Sequence, residues 1–285
     1  MPNKTSLINN LRKYHNWIKS TMLKEVSNEL RSDNVNYIRL LDVSTGKGGD
    51  LYKWKIARIN YVLGFDVDKE SIYGSNGAND RYKEMKPPKP RVSFFQYNNI
   101  SRGGKYPYQG IKKVIDMKSK NHQFNVVTCM FALHYMFEDE VILRHIISMV
   151  SKLLVKGGFF MGTTLDGNII DDKLKVKGEL SNDVYSMRRL YDKKTMFGSK
   201  YAFNMNETEK DTNYFKQKGE SEEYLVDFNI LEKVCSDYNL KPYKLNGRKS
   251  VHNFSEWYKE YDKKNLTNSE KEPSFLNSSF IFVKV

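Results

Sequence analysis

The stretch Leu40-Leu41-Asp42-Val43-Ser44-Thr45-Gly46-Lys47-Gly48-Gly49-Asp50 constrains the fold of this chain more than any other. An apolar run passes through a small polar pair into a glycine-rich turn. An amphipathic segment follows, with Leu51, Trp54 and Ile56 as its apolar positions. That order is strand, tight loop, helix. Glycines let the backbone approach a ligand closely, and a helix N-terminus offers unpaired N–H groups to an anion. A second apolar run, Tyr61-Val62-Leu63-Gly64-Phe65, ends in Asp66, twenty residues after Gly46. An acidic residue at that spacing, on a second strand end, is placed to accept hydrogen bonds from a ribose diol. The expected ligand is an adenosine-containing cofactor. The loop reads Gly-x-Gly-Gly and lacks Gly-Lys-Ser/Thr, which argues against a phosphate-gripping nucleotide site and a nicotinamide dinucleotide.

Hydrophobic spacing extends the pattern on both sides. Leu7, Leu11, Tyr14, Ile18, Met22, Val26 and Leu30 recur at three and four residues, so a helix is expected over 5–30, packed as a lid over the site. Strands are expected at 37–43, 61–66, 91–97, 126–130 and 159–163. Between them, helices are expected at 68–85, with Asp68 as N-cap and Pro87, Pro88 and Pro90 beyond its end, at 111–118 and at 138–154. A polar loop is expected at 98–110, and Gly157-Gly158 is read as the break before the fifth strand. Strands alternating with helices imply an α/β fold, a doubly wound and mostly parallel sheet. The alternation stops at Asp166. Residues 166–219 read as a charged, irregular insertion with strand-like pieces at 184–187 and 200–205. A helix at 229–239, a sixth strand at 240–245, a helix at 253–264, a polar loop at 268–277 and a closing strand at 280–285 complete the chain. No repeat or linker divides it, so a single domain over 1–285 is expected.

Charge bears on the partner. Lys plus Arg number 47 against 34 Asp plus Glu, a net charge of +13, which favours a polyanion such as nucleic acid. Lys173, Lys175 and Lys177 alternate, as on one face of an extended segment, either solvated or touching RNA. The chain has only Cys129 and Cys235, too few for a disulfide framework, and no metal-ligand spacing involves them or the five histidines. The longest apolar run, 126–133, is too short to span a bilayer. These features suggest a soluble intracellular protein with no metal and no membrane partner.

Ligands of open α/β sheets sit outside the carboxyl ends of the strands. The Ser44-to-Asp50 loop, Asp66, Asn98, the Met130-to-Tyr135 segment and the Thr163-to-Asp166 segment all fall there. Bland roles stand beside each: Asp66 as a helix cap, His134 and Tyr135 as strand-end packing, Lys19 on a solvated helix face.

The strings Leu11-Arg12-Lys13-Tyr14-His15-Asn16-Trp17-Ile18-Lys19-Ser20, Gly46-Lys47-Gly48-Gly49-Asp50-Leu51-Tyr52-Lys53-Trp54, Phe131-Ala132-Leu133-His134-Tyr135-Met136-Phe137-Glu138, Gly162-Thr163-Thr164, Tyr201-Ala202-Phe203-Asn204 and Glu223-Tyr224-Leu225-Val226-Asp227-Phe228 resemble, in order, those of the mRNA cap guanine N-7 methyltransferases. The resemblance covers essentially the whole chain. The Ser-Thr-Gly-Lys-Gly-Gly-Asp variant looks most like capping enzymes of large cytoplasmic DNA viruses, of the African swine fever virus type.

The resemblance implies a class I S-adenosylmethionine-dependent methyltransferase fold. This is Rossmann-like, with a mixed seven-stranded sheet, an N-terminal helical extension at 1–35 and an insertion at 166–222 near the substrate pocket. It implies S-adenosylmethionine as cofactor, with Lys19, Ser44, Gly46 and Asp50 at its methionine end, Asp66 at the ribose, Asn98 by the adenine, and Met130 and Phe131 along the methyl channel. It places the cap guanine against His15, Asn16, His134, Tyr135, Glu223 and Phe280. A carboxylate at Glu223 suits the guanine N-1 and N-2 hydrogens. Glu223 is otherwise readable as a solvated strand start. The resemblance further implies 5′-capped RNA as partner, linked N-terminal triphosphatase and guanylyltransferase modules, and a place in the host cytoplasm and its viral factories. Ser44 replaces a loop glycine, Asn98 an aspartate, Leu165 a proline, Phe280 a tyrosine and His15 an asparagine of the family pattern. Three readings stay open: a cap N-7 methyltransferase, a methyltransferase of the same fold on another substrate, and a non-catalytic RNA-binding or partner-docking module.

Overall fold

The computed structural model describes residues 7–97, 107–118, 123–206 and 220–285. Its centre is a sheet in the order β10-β12-β5-β4-β1-β2-β3. Here β1 is Arg39–Val43, β2 Tyr61–Asp66, β3 Arg91–Gln96, β4 Phe124–Met130, β5 Leu154–Leu165, β10 Leu240–Pro242 and β12 Asn277–Lys284. The strands from β3 to β5 run parallel, whereas β12 runs antiparallel to β5 and to β10. This is the mixed seven-stranded sheet expected. A short strand not foreseen, β11 (Val251–Asn253), adds to the edge of β12.

Helices cover both faces. On one, α1 (Asn9–Ser32) and α2 (Leu51–Ile56) share an apolar layer with α9 (Phe254–Glu260). On the other lie α5 (Pro107–Lys118), α6 (Glu140–Leu153) and α8 (Phe228–Asp237). The heptad-like positions of α1 put Leu11, Tyr14, Ile18, Met22, Val26 and Leu30 in the core, which makes α1 a core layer more than a lid. No helix among the described residues is long and apolar enough to cross a membrane.

Several boundaries differ from expectation for local reasons. The helix expected at 68–85 is two, α3 (Lys69–Tyr73) and α4 (Ala78–Glu84), because Gly74 and Gly77 bracket a turn in which Asn76 has a φ of 57°. Asp68 does cap α3, accepting from the Glu70 and Ser71 N–H groups at 3.1 Å. The helix α5 starts at Pro107, inside the expected loop, where proline suits the first helical position. Gly157 and Gly158 lie within β5, which begins directly after α6. The β4–β5 register slips between Phe124 and Val126, and Gly157 takes a φ of 77° there.

The insertion is ordered through its described parts. Asp166 caps α7 (Gly167–Lys177), accepting from the Asn168 N–H at 3.1 Å and the Ile169 N–H at 3.4 Å, and Ile170 and Leu174 bury its inner face. Lys173, Lys175 and Lys177 are therefore helical and do not share the face of an extended segment. Lys175 instead meets Asp171, one turn earlier, at 2.6 Å. A second, antiparallel sheet follows, in the order β6 (Glu179–Ser181), β7 (Tyr185–Arg189), β8 (Lys200–Met205) and β9 (Ser221–Tyr224). The expected loop at 268–277 contains α10 (Asn268–Ser274), started by a reciprocal capping box between Thr267 and Glu270.

Candidate active site

The glycine loop leaves β1 with Ser44 at a φ of 66°, the left-handed conformation that glycine adopts freely. Thr45 then donates its N–H to the Phe65 carbonyl at 2.9 Å, tying the loop to β2. Gly48 has a φ of +71°, and a Cβ there would lie 2.9 Å from Leu51 Cδ1 and 3.2 Å from Ala78, so glycine lets α4 close on the loop. At Gly46 and Gly49 a Cβ would meet nothing within 4 Å, which leaves open space above the loop.

Asp66 ends β2 and braces this loop. Its Oδ2 accepts from the Gly46 N–H at 2.7 Å and its Oδ1 from the Asp68 N–H at 2.9 Å. The cap of α3 is Asp68, so helix capping is not the work of Asp66. Beneath the loop lies a group that the sequence reading passed over. Asp42 accepts from the Thr45 hydroxyl at 2.5 Å and from the Thr128 hydroxyl at 2.6 Å, joining β1, the loop and β4. Burial, and then the Asp50 charge, push its carboxyl up to about 7. A lone carboxylate inside the apolar run Leu40-Leu41-Asp42-Val43 was the available signal.

Lys19 is 5% exposed, which rules out the solvated helix face. Its Nζ lies 2.7 Å from Asp50 Oδ1, and Lys53 Nζ approaches the same oxygen at 2.9 Å. Lys53 also donates to the Gly49 carbonyl at 2.8 Å. Burial alone would raise the Asp50 carboxyl, but the two ammonium groups outweigh it and hold the group well below the usual carboxylate range. Two cations thus close on one carboxylate beside the loop.

Met130 ends β4 and Phe131 follows at a φ of 56°, strained for a bulky side chain. The Phe131 N–H donates to the Thr163 carbonyl at 2.7 Å, which fixes the turn against β5. Its ring stacks on His15 at 5.5 Å between centroids, and Lys19 Nζ lies 5.5 Å from the ring centre. His15 is buried, with Nε2 2.9 Å from the Ser274 hydroxyl. Burial, and then the Lys19 charge, lower it to about 3, so its ring is neutral. Asn16, beside it, is half-buried.

A 3-10 turn, Leu133–Glu138, presents His134 and Tyr135. Both His134 ring nitrogens are buried without a hydrogen-bond partner, and Nδ1 lies 3.8 Å from Glu223 Oε2. Burial lowers the His134 pKa, and the Glu223 charge only partly opposes this. Glu223 is itself 6% exposed, which excludes a solvated strand start. Tyr135 packs on His134 at 4.1 Å and is 49% exposed. Burial at its hydroxyl end, with the charges of Glu223 and then Asp66, pushes that hydroxyl up to about 12.

One expected residue is not in this assembly. Phe280 is 0% exposed, packed against Phe160, Phe228 and Phe282, and a Cβ on Gly162 would lie 2.6 Å from its Cζ. It belongs to the core and offers no surface to a ligand, because β12 lies between β5 and β10. Asn98 lies outside the described residues. Tyr201 and Ser221, absent from the sequence-level set, both bond Glu223. Strand pairing brings Tyr201 to it, and no local pattern announces that.

Residues 2–276 match the family model described as the mRNA (guanine-N(7))-methyltransferase domain. The mRNA cap guanine-N(7) methyltransferase 1 of Arabidopsis thaliana is 30% identical over 245 residues, covering 83% of this chain and 60% of that protein. A probable mRNA-capping enzyme of Acanthamoeba polyphaga mimivirus is 28% identical over 190 residues, 62% of this chain and 16% of that protein. The chain thus spans less than two thirds of the length of each of these relatives. An S-adenosylmethionine-dependent methyltransferase from Clostridium acetobutylicum superposes with a TM-score of 0.52 at 12% identity, covering 92% of this chain and 90% of that one. At that identity the likeness concerns the fold, which is that of the class I methyltransferases.

Proposed function

The chain belongs to the mRNA (guanine-N(7))-methyltransferase domain family, and we propose from that premise that it moves a methyl group from S-adenosylmethionine to N-7 of the guanosine cap of RNA. One observation carries the reading. A buried carboxylate, Glu223, stands beside a neutral buried His134 and the exposed ring of Tyr135, at the strand ends that also hold the glycine loop. A carboxylate beside two rings is an acceptor fitted to the N-1 and N-2 hydrogens of guanine.

The loop side fits the cofactor. The Lys19 and Lys53 ammonium groups suit a carboxylate, open space lies above Gly46 and Gly49, and Asp66 sets a carboxylate at the loop where a ribose diol would lie. Met130 and Phe131 would border the path between the two ligands. When bound, the cofactor supplies an electrophilic methyl on a sulfonium.

The chain's own contribution is placement. Guanine N-7 has a free lone pair, so no general base is required, and the neutral His134 is a packing and positioning group. Holding acceptor and donor in line supplies about 7–11 kcal/mol of barrier reduction. As N-7 is alkylated the purine becomes cationic and its N-1 and N-2 hydrogens more acidic. Their bonds to Glu223 strengthen toward the transition state, and a contact of that kind raises kcat.

We further propose that residues 1–285 act as one methyltransferase domain of a longer viral capping polypeptide that also carries triphosphatase and guanylyltransferase modules. The mimivirus similarity, confined to 16% of that protein, supports this. The mass of the native polypeptide and its location in infected cytoplasm test it. The activity itself is tested by methyl transfer to guanosine-capped RNA, with uncapped RNA as control and the product mapped to N-7. Cofactor binding without transfer to capped RNA sinks the reading in favour of another substrate, and absence of cofactor binding favours a docking module.

A further inference from the structure

Glu223 comes to the pocket on β9. Ser221 stands two residues before it on the same strand face, and Tyr201 is its direct partner on β8. The Tyr201 hydroxyl donates to Oε2 at 2.7 Å, and the single Ser221 hydroxyl proton is shared between Oε1 at 3.0 Å and the Phe203 carbonyl at 3.1 Å, which makes Ser221 the weaker donor. Each oxygen thus has one internal donor and keeps acceptor capacity on its other side. The terminal torsion of a glutamate is otherwise broad, so an unrestrained carboxylate would turn freely about its axis. Two donors on different oxygens set its plane. Tyr201 is 0% exposed and cannot swing away. Burial, and then the Glu223 charge, keep its hydroxyl protonated far above the ordinary tyrosine range, so it remains a donor at every working pH.

We propose that Tyr201 and Ser221 are positioning residues that fix the Glu223 carboxylate plane, so that it reads the N-1 and N-2 hydrogens of the cap guanine together. They thereby select purines bearing a 2-amino group. Guanine offers two parallel donors to a fixed two-oxygen acceptor, whereas hypoxanthine offers one and leaves the outward lone pair of the other oxygen without a donor. A site built to hydrogen-bond a group discriminates strongly against the analogue that lacks it. A carboxylate free to rotate could meet the single donor almost as well, and selectivity would fall. This inference rests on the cap-methylation reading.

The test compares methylation of guanosine-capped and inosine-capped RNA by the parent, Tyr201→Phe and Ser221→Ala proteins, with S-adenosylmethionine affinity measured on each by calorimetry. The parent is expected to prefer the guanosine cap by about tenfold or more in kcat/KM. In Tyr201→Phe that preference falls to within about threefold, chiefly through loss on the guanosine cap, with cofactor affinity unchanged. Ser221→Ala shifts the ratio in the same direction by less, and serves alone if Tyr201→Phe does not fold. A merely structural role would lower activity on both caps alike. Variants that keep the parental ratio overturn the inference. A parent inactive on any capped RNA overturns the reading beneath it instead.

Discussion

Ser44 and Phe131 carry φ angles of 66° and 56° at the two turns that frame the site. Such angles cost a side-chain-bearing residue about 1–2 kcal/mol. Glycine adopts such an angle without strain, so Ser44→Gly should gain up to about 1 kcal/mol, part of the relief being offset by the freedom of glycine in the unfolded chain. Ser44→Val, stiff at its Cβ, should lose about 1–2 kcal/mol. Thermal unfolding of the pair checks this, and equal melting temperatures would show the angle to be harmless. His15 supplies a second residue-scale outcome. Its pKa falls from the ordinary 6.5 to about 3 on folding, chiefly by burial. A depressed pKa contributes stability that is present above pH 6.5 and is lost as pH falls toward 3. His15→Asn should flatten that acid limb by up to about 1.4 kcal/mol per pH unit, read from denaturant unfolding across the range.

At the scale of elements, long periodic segments were legible and short ones were not. The spacing in α1 and the strand–loop–helix of β1 and α2 are local patterns, so they appear in the chain order itself. The glycine turn and the place of Asp66 at a strand end are local patterns of the same kind. In α7 only Ile170 and Leu174 mark the buried stripe among charged neighbours, too few for periodicity to register. The signal for α10 was present as Thr267-x-x-Glu270 and is readable only as a capping box. The approach of Tyr201 to Glu223 depends on β8–β9 register, a long-range fact with no local signature. The same dependence on register buries Phe280. Glu270 also holds α1 in place, accepting from the Leu11 N–H at 3.0 Å and from the Thr267 N–H at 3.0 Å. Thr267→Ala should cost about 1 kcal/mol as a lost cap. Glu270→Ala strands two backbone donors and should cost about 2–4 kcal/mol. Chemical denaturation separates the two, and equal losses would mean that the Leu11 bond contributes nothing.

The whole molecule carries a net charge of +13, and its proposed substrate is a polyanion. Methylation of capped RNA should therefore fall steeply as salt rises, with log kcat/KM linear in log salt, while cofactor affinity changes little. A flat salt profile on RNA would show that the surplus charge faces solvent. Topology acts at this scale too. The sheet order places β12 between β5 and β10, so the strand that follows all the other described strands fills an inner position. Until Asn277–Lys284 has left the ribosome, the β5 edge stays open and Phe160 lacks its partners Phe280 and Phe282. A nascent chain halted earlier holds an exposed apolar strand edge, the kind of surface that chaperones bind and that aggregates. Synthesis therefore cannot yield a finished pocket from the amino-terminal half first. The glycine loop is made well before β12, and its scaffold closes only when that strand arrives.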